Sequence, residues 1–204
     1  MSIEAKLLHL QAIQNLLAPY RYLYCVDLEA TCDDVGESPR PLAVVPDQME
    51  TIEIGLVVIE LETLEVVDEF QRFVQPQVNP ILTDFCKKLT SIQQADVDNA
   101  RTYVEVGQEL GAFIARYPDA SWASWGDYDA RQLERDAALA ACPSLLAGLP
   151  HFNARKWHKG LYDNQSKGLK QTVEAMGLAW QGTYHRGIDD ARNVAAIVKE
   201  MLGD

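Results

Sequence analysis

The chain has 204 residues, of which 48% are hydrophobic, and a formal net charge of −12. This length suffices for one well-buried core, so a single domain over residues 1–204 is expected. The negative charge argues against a broad surface for duplex nucleic acid. No apolar run approaches the ~20 residues of a membrane span, and four scattered cysteines disfavour a disulfide framework or a zinc knuckle. A cytoplasmic protein is therefore predicted.

The N-terminal part of the sequence predicts one helix followed by three strands. Apolar residues recur at helical spacing over residues 3–17, which predicts a helix that packs on the core. Strand-like runs follow at residues 22–26, 51–60 and 65–74, and a short polar turn joins the last two. These runs predict a three-stranded antiparallel meander, with residues 33–48 as a loop long enough to flank an active site.

The remaining sequence is mostly helical. Helical patterns cover residues 81–89, 90–97, 103–117, 129–141, 165–176 and 189–202, and a short apolar run at residues 120–125 fits a buried strand. The three N-terminal strands come first, and the later strand at residues 120–125 lies between helices. This order predicts an α/β domain with a mixed sheet.

Two carboxylates follow the first strand-like run. Alternate residues of a strand point to one face, so Asp27 and Glu29 are expected to lie side by side. Adjacent carboxylates repel each other unless a cation lies between them, and hard oxygen ligands suit Mg²⁺ or Mn²⁺ better than zinc. A divalent-metal site is the first hypothesis, and an exposed edge strand with two solvated acids is the alternative.

Two later acidic segments could complete such a site. Asp127 and Asp129 lie at a strand-to-helix junction, the edge of an α/β sheet where functional sites tend to form. His185 precedes Asp190 by five residues at the start of the last predicted helix. An imidazole on a loop can then lie over a carboxylate in the first helical turn, which is the arrangement of a general base beside a metal.

The order Asp-x-Glu, a later Asp and His-x-x-x-x-Asp resembles the DEDDh branch of the 3′-to-5′ exonucleases. The finer resemblance, over about residues 20–202, is to the Eri-1-like group of histone-mRNA and small-RNA 3′ exonucleases. It is carried by residues 27–32, 52–55, 82–90, 92–97 and 187–193. The resemblance implies an α/β ribonuclease H-like exonuclease fold, in which helices flank a mixed five-stranded sheet. It also implies one exonuclease domain, with residues 1–19 as a helical extension and residues 20–202 as the catalytic core.

Residue by residue, the resemblance implies four metal-binding carboxylates and one histidine general base. The carboxylates are Asp27, Glu29, Asp129 and Asp190, and the base is His185. Two Mg²⁺ or Mn²⁺ ions are the implied cofactors, with Asp27 bridging them. Glu29 and Asp190 would complete the ion that activates water, and Asp129 would support the other ion.

Two of these assignments have a neighbouring alternative. Asp129 is preferred to Asp127 because the family's acid has an apolar residue one helical turn later, which here is Leu133. Asp190 is preferred to Asp189 because the family's His-to-Asp spacing is five residues.

The resemblance also implies contacts to the substrate. Ala30 and Thr31 are candidates for the terminal nucleotide, Leu89 and Thr90 for a wedge against the base, and Tyr128 for a stacking platform. Packing of Tyr128 on Trp125 is the alternative. The four tryptophans are predicted to be core or rim residues, and His9, His151 and His158 ordinary surface or loop histidines. The basic stretch over residues 155–170 is predicted to be a solvated face, with RNA steering as the alternative.

The function that the resemblance implies is a metal-dependent 3′-to-5′ exonuclease. It would release nucleoside 5′-monophosphates from single-stranded RNA or RNA 3′ overhangs, with DNA as a less favoured substrate and no membrane partner. A DNA-directed enzyme of repair or proofreading type is the alternative, since the same five residues serve both sugars. A catalytically silent adaptor with this fold is disfavoured because all five residues are present. The chain has no room for the additional nucleic-acid-binding module of many eukaryotic members, so the histone stem-loop is not predicted as a substrate.

Overall fold

The structure, a computed structural model, describes residues 2–34, 36, 41–162 and 168–203. Helices and strands alternate after an initial meander, as the sequence predicts. In chain order the elements are α1 (Ile3–Leu17), β1 (Tyr22–Ala30), β2 (Thr51–Glu60), β3 (Glu65–Phe73), α2 (Asp84–Thr90), α3 (Gln94–Asp98), α4 (Tyr103–Ile114), β4 (Ala120–Ser124), α5 (Tyr128–Ala140), β5 (His151–Asn153), α6 (Ala154–Tyr162), α7 (Leu169–Ala175) and α8 (Gly187–Gly203).

The five strands form one mixed sheet in the order β3-β2-β1-β4-β5. β1 pairs with β2, and β2 with β3, in antiparallel fashion, which confirms the predicted meander. β4 is parallel both to β1 and to β5. The predicted mixed five-stranded sheet is therefore confirmed, and β1 lies at its centre.

Helices cover both faces of this sheet. Leu23 and Cys25 of β1 face a core shared with α1, α6, α7 and α8, whereas Val26 faces a second core built with α4 and α5. A smaller core lies under α2 and α3. Because strand side chains alternate, Asp27 and Glu29 share the face of Cys25 and point toward α8. The last helix therefore covers the carboxylates of β1.

Several predicted boundaries were wrong. β1 continues to Ala30, since the acids at its end are held within the sheet. The predicted helix at residues 81–89 begins only at Asp84, because the Thr83 hydroxyl caps it by accepting a hydrogen bond from the Cys86 amide at 3.0 Å. The helix at residues 103–117 ends at Ile114.

Other parts of the C-terminal half were not predicted at all. β5 was missed because a strand of three residues carries almost no periodic signal. α6 was missed although its buried residues Ala154, Trp157, His158 and Leu161 have helical spacing. Three predictions lie partly outside the described residues. They concern residues 165–167 of a predicted helix, Lys167 of the basic stretch and part of the predicted loop at residues 33–48.

The predicted positions of the four tryptophans are confirmed, whereas one of the three histidines predicted at the surface or in loops is buried. Trp122 and Trp157 are buried, and Trp125 and Trp180 pack at the rim of a core. The prediction was wrong for His158, which is buried in α6 with its ring 4.8 Å from that of Tyr162. His9 is exposed, as predicted, and His151 lies on β5 with its ring 4.2 Å from that of Trp122. Within the described ranges, no helix has the length and apolar character needed to cross a membrane.

Candidate active site

The site is centred on the C-terminal half of β1, which extends beyond its parallel partner. The pairing with β4 ends at Cys25 and Ala123, so the last residues of β1 have a free edge on that side. Asp27 and Glu29 lie in this part of the strand, and their β2 partners are Gly55 and Glu53. The sheet thus presents two carboxylates at an edge where helices α5 and α8 begin.

Helix α8 brings a third carboxylate and the histidine to this edge. Glu29, His185 and Asp190 have ligand atoms that all lie within 4.8 Å of one another. His185 Nδ1 is 4.0 Å from Glu29 Oε1, and the His185 ring lies 3.9 Å from that of Tyr184. Asp190 is buried and accepts a hydrogen bond from the His185 amide. The short loop and the first turn of α8 therefore act as one unit.

Helix α5 supplies the fourth carboxylate through Asp129. Asp129 Oδ1 accepts a hydrogen bond from the Leu28 amide at 3.0 Å, at the free edge of β1. Asp127 instead accepts hydrogen bonds from Asn153 Nδ2 at 2.8 Å and from Lys156 Nζ at 3.2 Å. The structure therefore brings Asp129, and not Asp127, to the other acids.

The same distinction holds at the start of α8. Asp189 Oδ2 accepts a hydrogen bond from the Thr183 amide at 2.8 Å, and its Oδ1 accepts one from Arg192 at 2.8 Å. These contacts direct Asp189 toward the loop and away from β1. Asp190 faces the carboxylates of the strand.

Burial of four carboxylates in one place makes each of them hard to ionise. Burial, with the charges of Asp129 and Glu29, raises the pKa of Asp27 well above its usual range. Burial and the nearby Asp190 raise the pKa of Glu29 to about 9. Burial also raises the pKa of Asp190 to about 7 and that of Asp129 to about 6. A cation between these groups would relieve both the desolvation and the mutual repulsion.

The donor set fits a hard divalent cation. It consists of carboxylate oxygens and one imidazole, and Asp190 Oδ1 is a buried oxygen without a hydrogen-bond partner among the described residues. An orphaned buried carboxylate oxygen is costly unless an ion or water satisfies it. Oxygen-rich sites of this kind suit Mg²⁺ or Mn²⁺. The site is therefore a carboxylate cluster that can hold metal.

Comparison with known families assigns most of the chain to one family. Residues 24–198 match the Exonuclease (RNase T) family, which is most of the chain and includes every residue of the cluster. The chain belongs to the Exonuclease family. This confirms the family resemblance inferred from the motifs, and the cluster described above lies within the exonuclease domain.

Relatives of this exonuclease domain are named as 3′-to-5′ exonucleases. The chain is 32% identical to "3'-5' exonuclease eri1" of Schizosaccharomyces pombe, with 90% of this chain and 69% of the relative covered. It is 31% identical to "3'-5' exoribonuclease 1" of Homo sapiens, with 91% and 53% covered. The chain thus spans only about half of this human relative.

Solved structures agree in fold. The nuclease domain of 3'hExo, described as a DEDDh family member bound to rAMP, is 31% identical. It superposes with a TM-score of 0.80 over 91% of this chain and 93% of that domain. A structure of a 3′-exonuclease that recognises the histone mRNA stem-loop is 30% identical, with a TM-score of 0.78 over 91% of this chain and 83% of that one. The predicted exonuclease fold is thereby confirmed.

The candidate substrate residues of the exonuclease domain differ in accessibility. Ala30 is buried, and the Thr31 hydroxyl accepts a hydrogen bond from the Glu50 amide at 2.9 Å, which ties the end of β1 to the neighbouring segment. Leu89 and Tyr128 are 38% and 42% exposed. Both can therefore meet a base, whereas the Thr31 side chain is already engaged within the protein.

Thr90 is a correction to the predicted wedge. Its side chain is fully buried, its hydroxyl donates to the Cys86 carbonyl at 2.9 Å, and the same oxygen accepts from the Ile92 amide at 3.1 Å. The residue secures the end of α2 and has no side-chain surface for a base. Of the predicted pair, only Leu89 remains a candidate.

Ser124 is a site residue that the sequence did not reveal. Its buried hydroxyl hydrogen-bonds Asp129 and lies 2.9 Å from His151 Nε2 and 3.1 Å from the Gly126 carbonyl oxygen. Ser124, at the end of β4, therefore helps to fix the orientation of the Asp129 carboxylate. Its position at the end of a buried strand was the available signal, but a serine there is too common to stand out.

Proposed function

We propose that the protein is a metal-dependent 3′-to-5′ exonuclease that removes nucleoside 5′-monophosphates from RNA 3′ ends. The observation that carries the proposal is the convergence of Asp27, Glu29, Asp129, Asp190 and His185 at the end of β1, with one buried oxygen left unsatisfied. Such a cluster suits hydrolysis of a phosphodiester, in which negative charge develops on phosphate oxygens beside cations.

The four carboxylates are proposed to hold two Mg²⁺ or Mn²⁺ ions, with Asp27 between them. When bound, such a pair activates water for attack on phosphorus and stabilises the departing 3′ oxygen. The backbone amide of Leu28 and the hydroxyl of Ser124 hold Asp129 in place. Glu29 and Asp190 face each other across the gap between β1 and α8.

His185 is proposed to take the proton of the attacking water. Burial lowers the pKa of its imidazole below the ordinary 6.5, so the ring is neutral and basic at neutral pH. The new bond joins the water oxygen to phosphorus, and the P–O3′ bond breaks. The departing 3′ oxygen gains a proton, and the phosphate stays on the 5′ side of the released nucleoside.

RNA is the proposed substrate, because the human relative is named an exoribonuclease and a solved relative recognises a histone mRNA stem-loop. The exposed Leu89 and Tyr128 are proposed to contact the terminal base, with the backbone at Ala30 and Thr31 near its sugar. A net charge of −12 favours a short grip on a single-stranded 3′ end or overhang over a long duplex contact. The histone mRNA stem-loop is not proposed as a substrate of this protein.

The catalytic core is proposed to be residues 20–202, with α1 as an extension that packs on α6 and α8. We also propose that the protein is cytoplasmic. Fractionation of cells that express the tagged protein tests this location, and finding the protein in another compartment would contradict it.

A time course on 5′-labelled single-stranded RNA tests the activity. With Mg²⁺ or Mn²⁺ the label should move through a ladder that shortens from the 3′ end, and EDTA should stop the reaction. DNA of the same sequence should be degraded more slowly. Cleavage within the strand, shortening from the 5′ end or activity in EDTA would contradict the proposal.

Asp27→Ala is the matched catalytic control in this assay. It removes the ligand that both ions would share, so activity should fall below about a tenth of wild type. Faster digestion of DNA than of RNA would favour the DNA-directed alternative. Absence of metal-dependent digestion by a folded wild-type protein would favour the silent adaptor.

A further inference from the structure

One buried carboxylate next to the site has no part in the reaction described above. Glu53 of β2 is fully buried and lies opposite Glu29 in the β1–β2 register. Its Oε2 accepts hydrogen bonds from Arg186 Nε at 3.0 Å and from the Gly187 amide at 3.1 Å. Its Oε1 accepts from Arg186 Nη2 at 3.3 Å and from Gln71 Nε2 at 3.0 Å. Four donors therefore converge on Glu53, and two of its partners directly follow His185.

These partners lie where α8 begins. A Cβ atom on Gly55 would be 2.1 Å from the Gly187 carbonyl carbon, and one on Gly187 would be 3.1 Å from the Asp27 carbonyl oxygen. The start of α8 thus rests directly on the backbones of β1 and β2. Glu53 is the side chain that fastens this contact, because it bonds both the Gly187 amide and the Arg186 guanidinium.

His185 needs such support. Its φ of 62° lies in the left-handed region, which is unfavourable for residues with a side chain unless the surroundings hold it. Arg186 is held from two sides, by Glu53 and by the Phe73 ring at 5.2 Å. A bidentate arginine–carboxylate pair fixes orientation as well as distance. The residue after His185 is therefore held at both its guanidinium edge and its face.

We propose that Glu53 and Arg186 form a clamp that positions His185 and Asp190 against Asp27 and Glu29. Glu53 is a positioning residue, since it acts through Arg186 and Gly187. The proposal rests on the proposed function, in which His185 is the base. A loss of alignment of about 1 Å at a catalytic group can lower the rate by about 100-fold, so loosening the clamp should reduce kcat more than it changes KM.

The chain offers a matched control in Glu69 of β3. Glu69 also ties α8 to the sheet, because both of its carboxylate oxygens accept hydrogen bonds from Arg192 Nε, at 3.0 and 3.1 Å. That pair is more exposed than the Arg186–Glu53 pair, and Arg192 follows Asp190 by two residues. Glu53→Gln therefore removes a buried ion pair at the residue that precedes α8, and Glu69→Gln removes the same type of ion pair at the surface of the helix.

Steady-state kinetics of the purified full chain on single-stranded RNA separate the two pairs. Glu53→Gln should lower kcat by about 10- to 100-fold, with KM changed less than about threefold, while Glu69→Gln leaves kcat unchanged. The double variant Glu53→Gln/Arg186→Gln should be no slower than the worse single variant, because the two residues act as a unit. Equal kcat in Glu53→Gln and Glu69→Gln, or losses that multiply in the double variant, would overturn the clamp.

Amide hydrogen exchange of the metal-free proteins supplies a readout that needs no activity. Exchange at Gly187 and the following turn should be faster in Glu53→Gln than in wild type and unchanged in Glu69→Gln. If the wild-type protein proves inactive, the proposed function fails while this measurement still judges the clamp. If Glu53→Gln does not fold, Arg186→Lys takes its place, because lysine keeps the charge and loses the two-point contact. Unchanged exchange in whichever variant is folded would contradict the proposal.

Discussion

At the scale of single residues, Asp127 and Asp129 lie two positions apart, and their pKa values are shifted in opposite directions. Burial raises the pKa of Asp129 to about 6, whereas hydrogen bonds from Asn153 and Lys156 lower the pKa of Asp127. Asp127 precedes α5, where Asn153 and Lys156 hold its carboxylate, whereas Asp129 lies in the first turn of the helix and accepts a hydrogen bond from the Leu28 amide of β1. The first turn of α5 thus separates a buried carboxylate from a solvated one.

The pair Asp129→Asn and Asp127→Asn tests this separation. Asp129→Asn should reduce the initial rate on single-stranded RNA to below about a hundredth of wild type, because it removes a charged ligand. Asp127→Asn should retain at least about half of the rate, since its charge serves Lys156 on the surface. A lower initial rate in Asp127→Asn than in Asp129→Asn would show that the metal-facing acid is Asp127.

His185→Ala tests the general base. The variant should lower kcat by roughly 10²- to 10⁴-fold with little change in KM, because the imidazole acts on water and not on the RNA. Burial lowers the pKa of His185 below 6.5, so the wild-type rate should decline only below that pH. In His185→Ala the part of this decline due to the imidazole should vanish. A defect confined to KM would instead make His185 a phosphate contact.

At the scale of elements, the site depends on how closely α8 approaches the sheet. Gly55 and Gly187 allow the helix to begin in contact with the strand backbones, and no side chain fits between them. The first turn of α8 carries Asp190, so the depth of this contact sets the distance between Asp190 and the acids of β1. Glycine at position 55 is therefore a packing requirement of the site, and position 187 leaves little room for a side chain.

Gly55→Ala should be destabilising and nearly inactive. Its Cβ would collide with helix backbone, and such overpacking costs about 1–3 kcal/mol or more in the free energy of unfolding. Gly111→Ala is the control: among the described residues, no atom outside its own helix backbone and chain neighbours lies within 4 Å of the new Cβ, and the change should raise the free energy of unfolding by about 0.5–1 kcal/mol. Urea denaturation and RNA digestion measure both effects. A Gly55→Ala protein with wild-type stability would refute the close approach.

At the scale of the whole molecule, the buried carboxylates make the stability of the metal-free protein depend on pH. The formal net charge of −12 already includes the buried carboxylates of the site, whose pKa values are raised. A raised pKa means that the folded protein without metal binds more protons than the unfolded chain. Its free energy of unfolding must then fall as the pH rises between the unfolded and folded pKa values.

Metal-free protein should therefore lose stability between pH 7 and pH 8.5. Glu29, with a pKa of about 9 against an ordinary 4.5, contributes at most about 1.4 kcal/mol for each pH unit. Added Mg²⁺ should raise Tm and reduce this slope, because the cation stabilises the ionised carboxylates. Calorimetry in EDTA and in Mg²⁺ provides the measurement, and Glu29→Gln should flatten the slope in EDTA. A Tm in EDTA that rises over this pH range would contradict the assignment.

The sequence by itself determined features that depend on local periodicity and motif spacing. The N-terminal helix follows from apolar residues at helical spacing and the meander from strand-like runs; α1 and β2 have the predicted bounds, whereas β1 continues four residues beyond its predicted end. The spacing of Asp-x-Glu and His-x-x-x-x-Asp pointed to residues that converge in the fold. The family followed from the same motifs, because chemistry constrains both the residue types and their order.

Only the tertiary structure decided which neighbouring side chains face the site. The free edge of β1 takes up Asp129, contacts with Asn153 and Lys156 hold Asp127 away from it, and the end of α2 buries Thr90. The contact between Glu53 and Arg186 joins residues 133 positions apart. No local pattern encodes such a contact, since it arises when α8 packs across β2 and places a buried carboxylate within reach of the guanidinium. The sequence predicted which residues form the site, and packing between residues far apart in the chain determined how they are held.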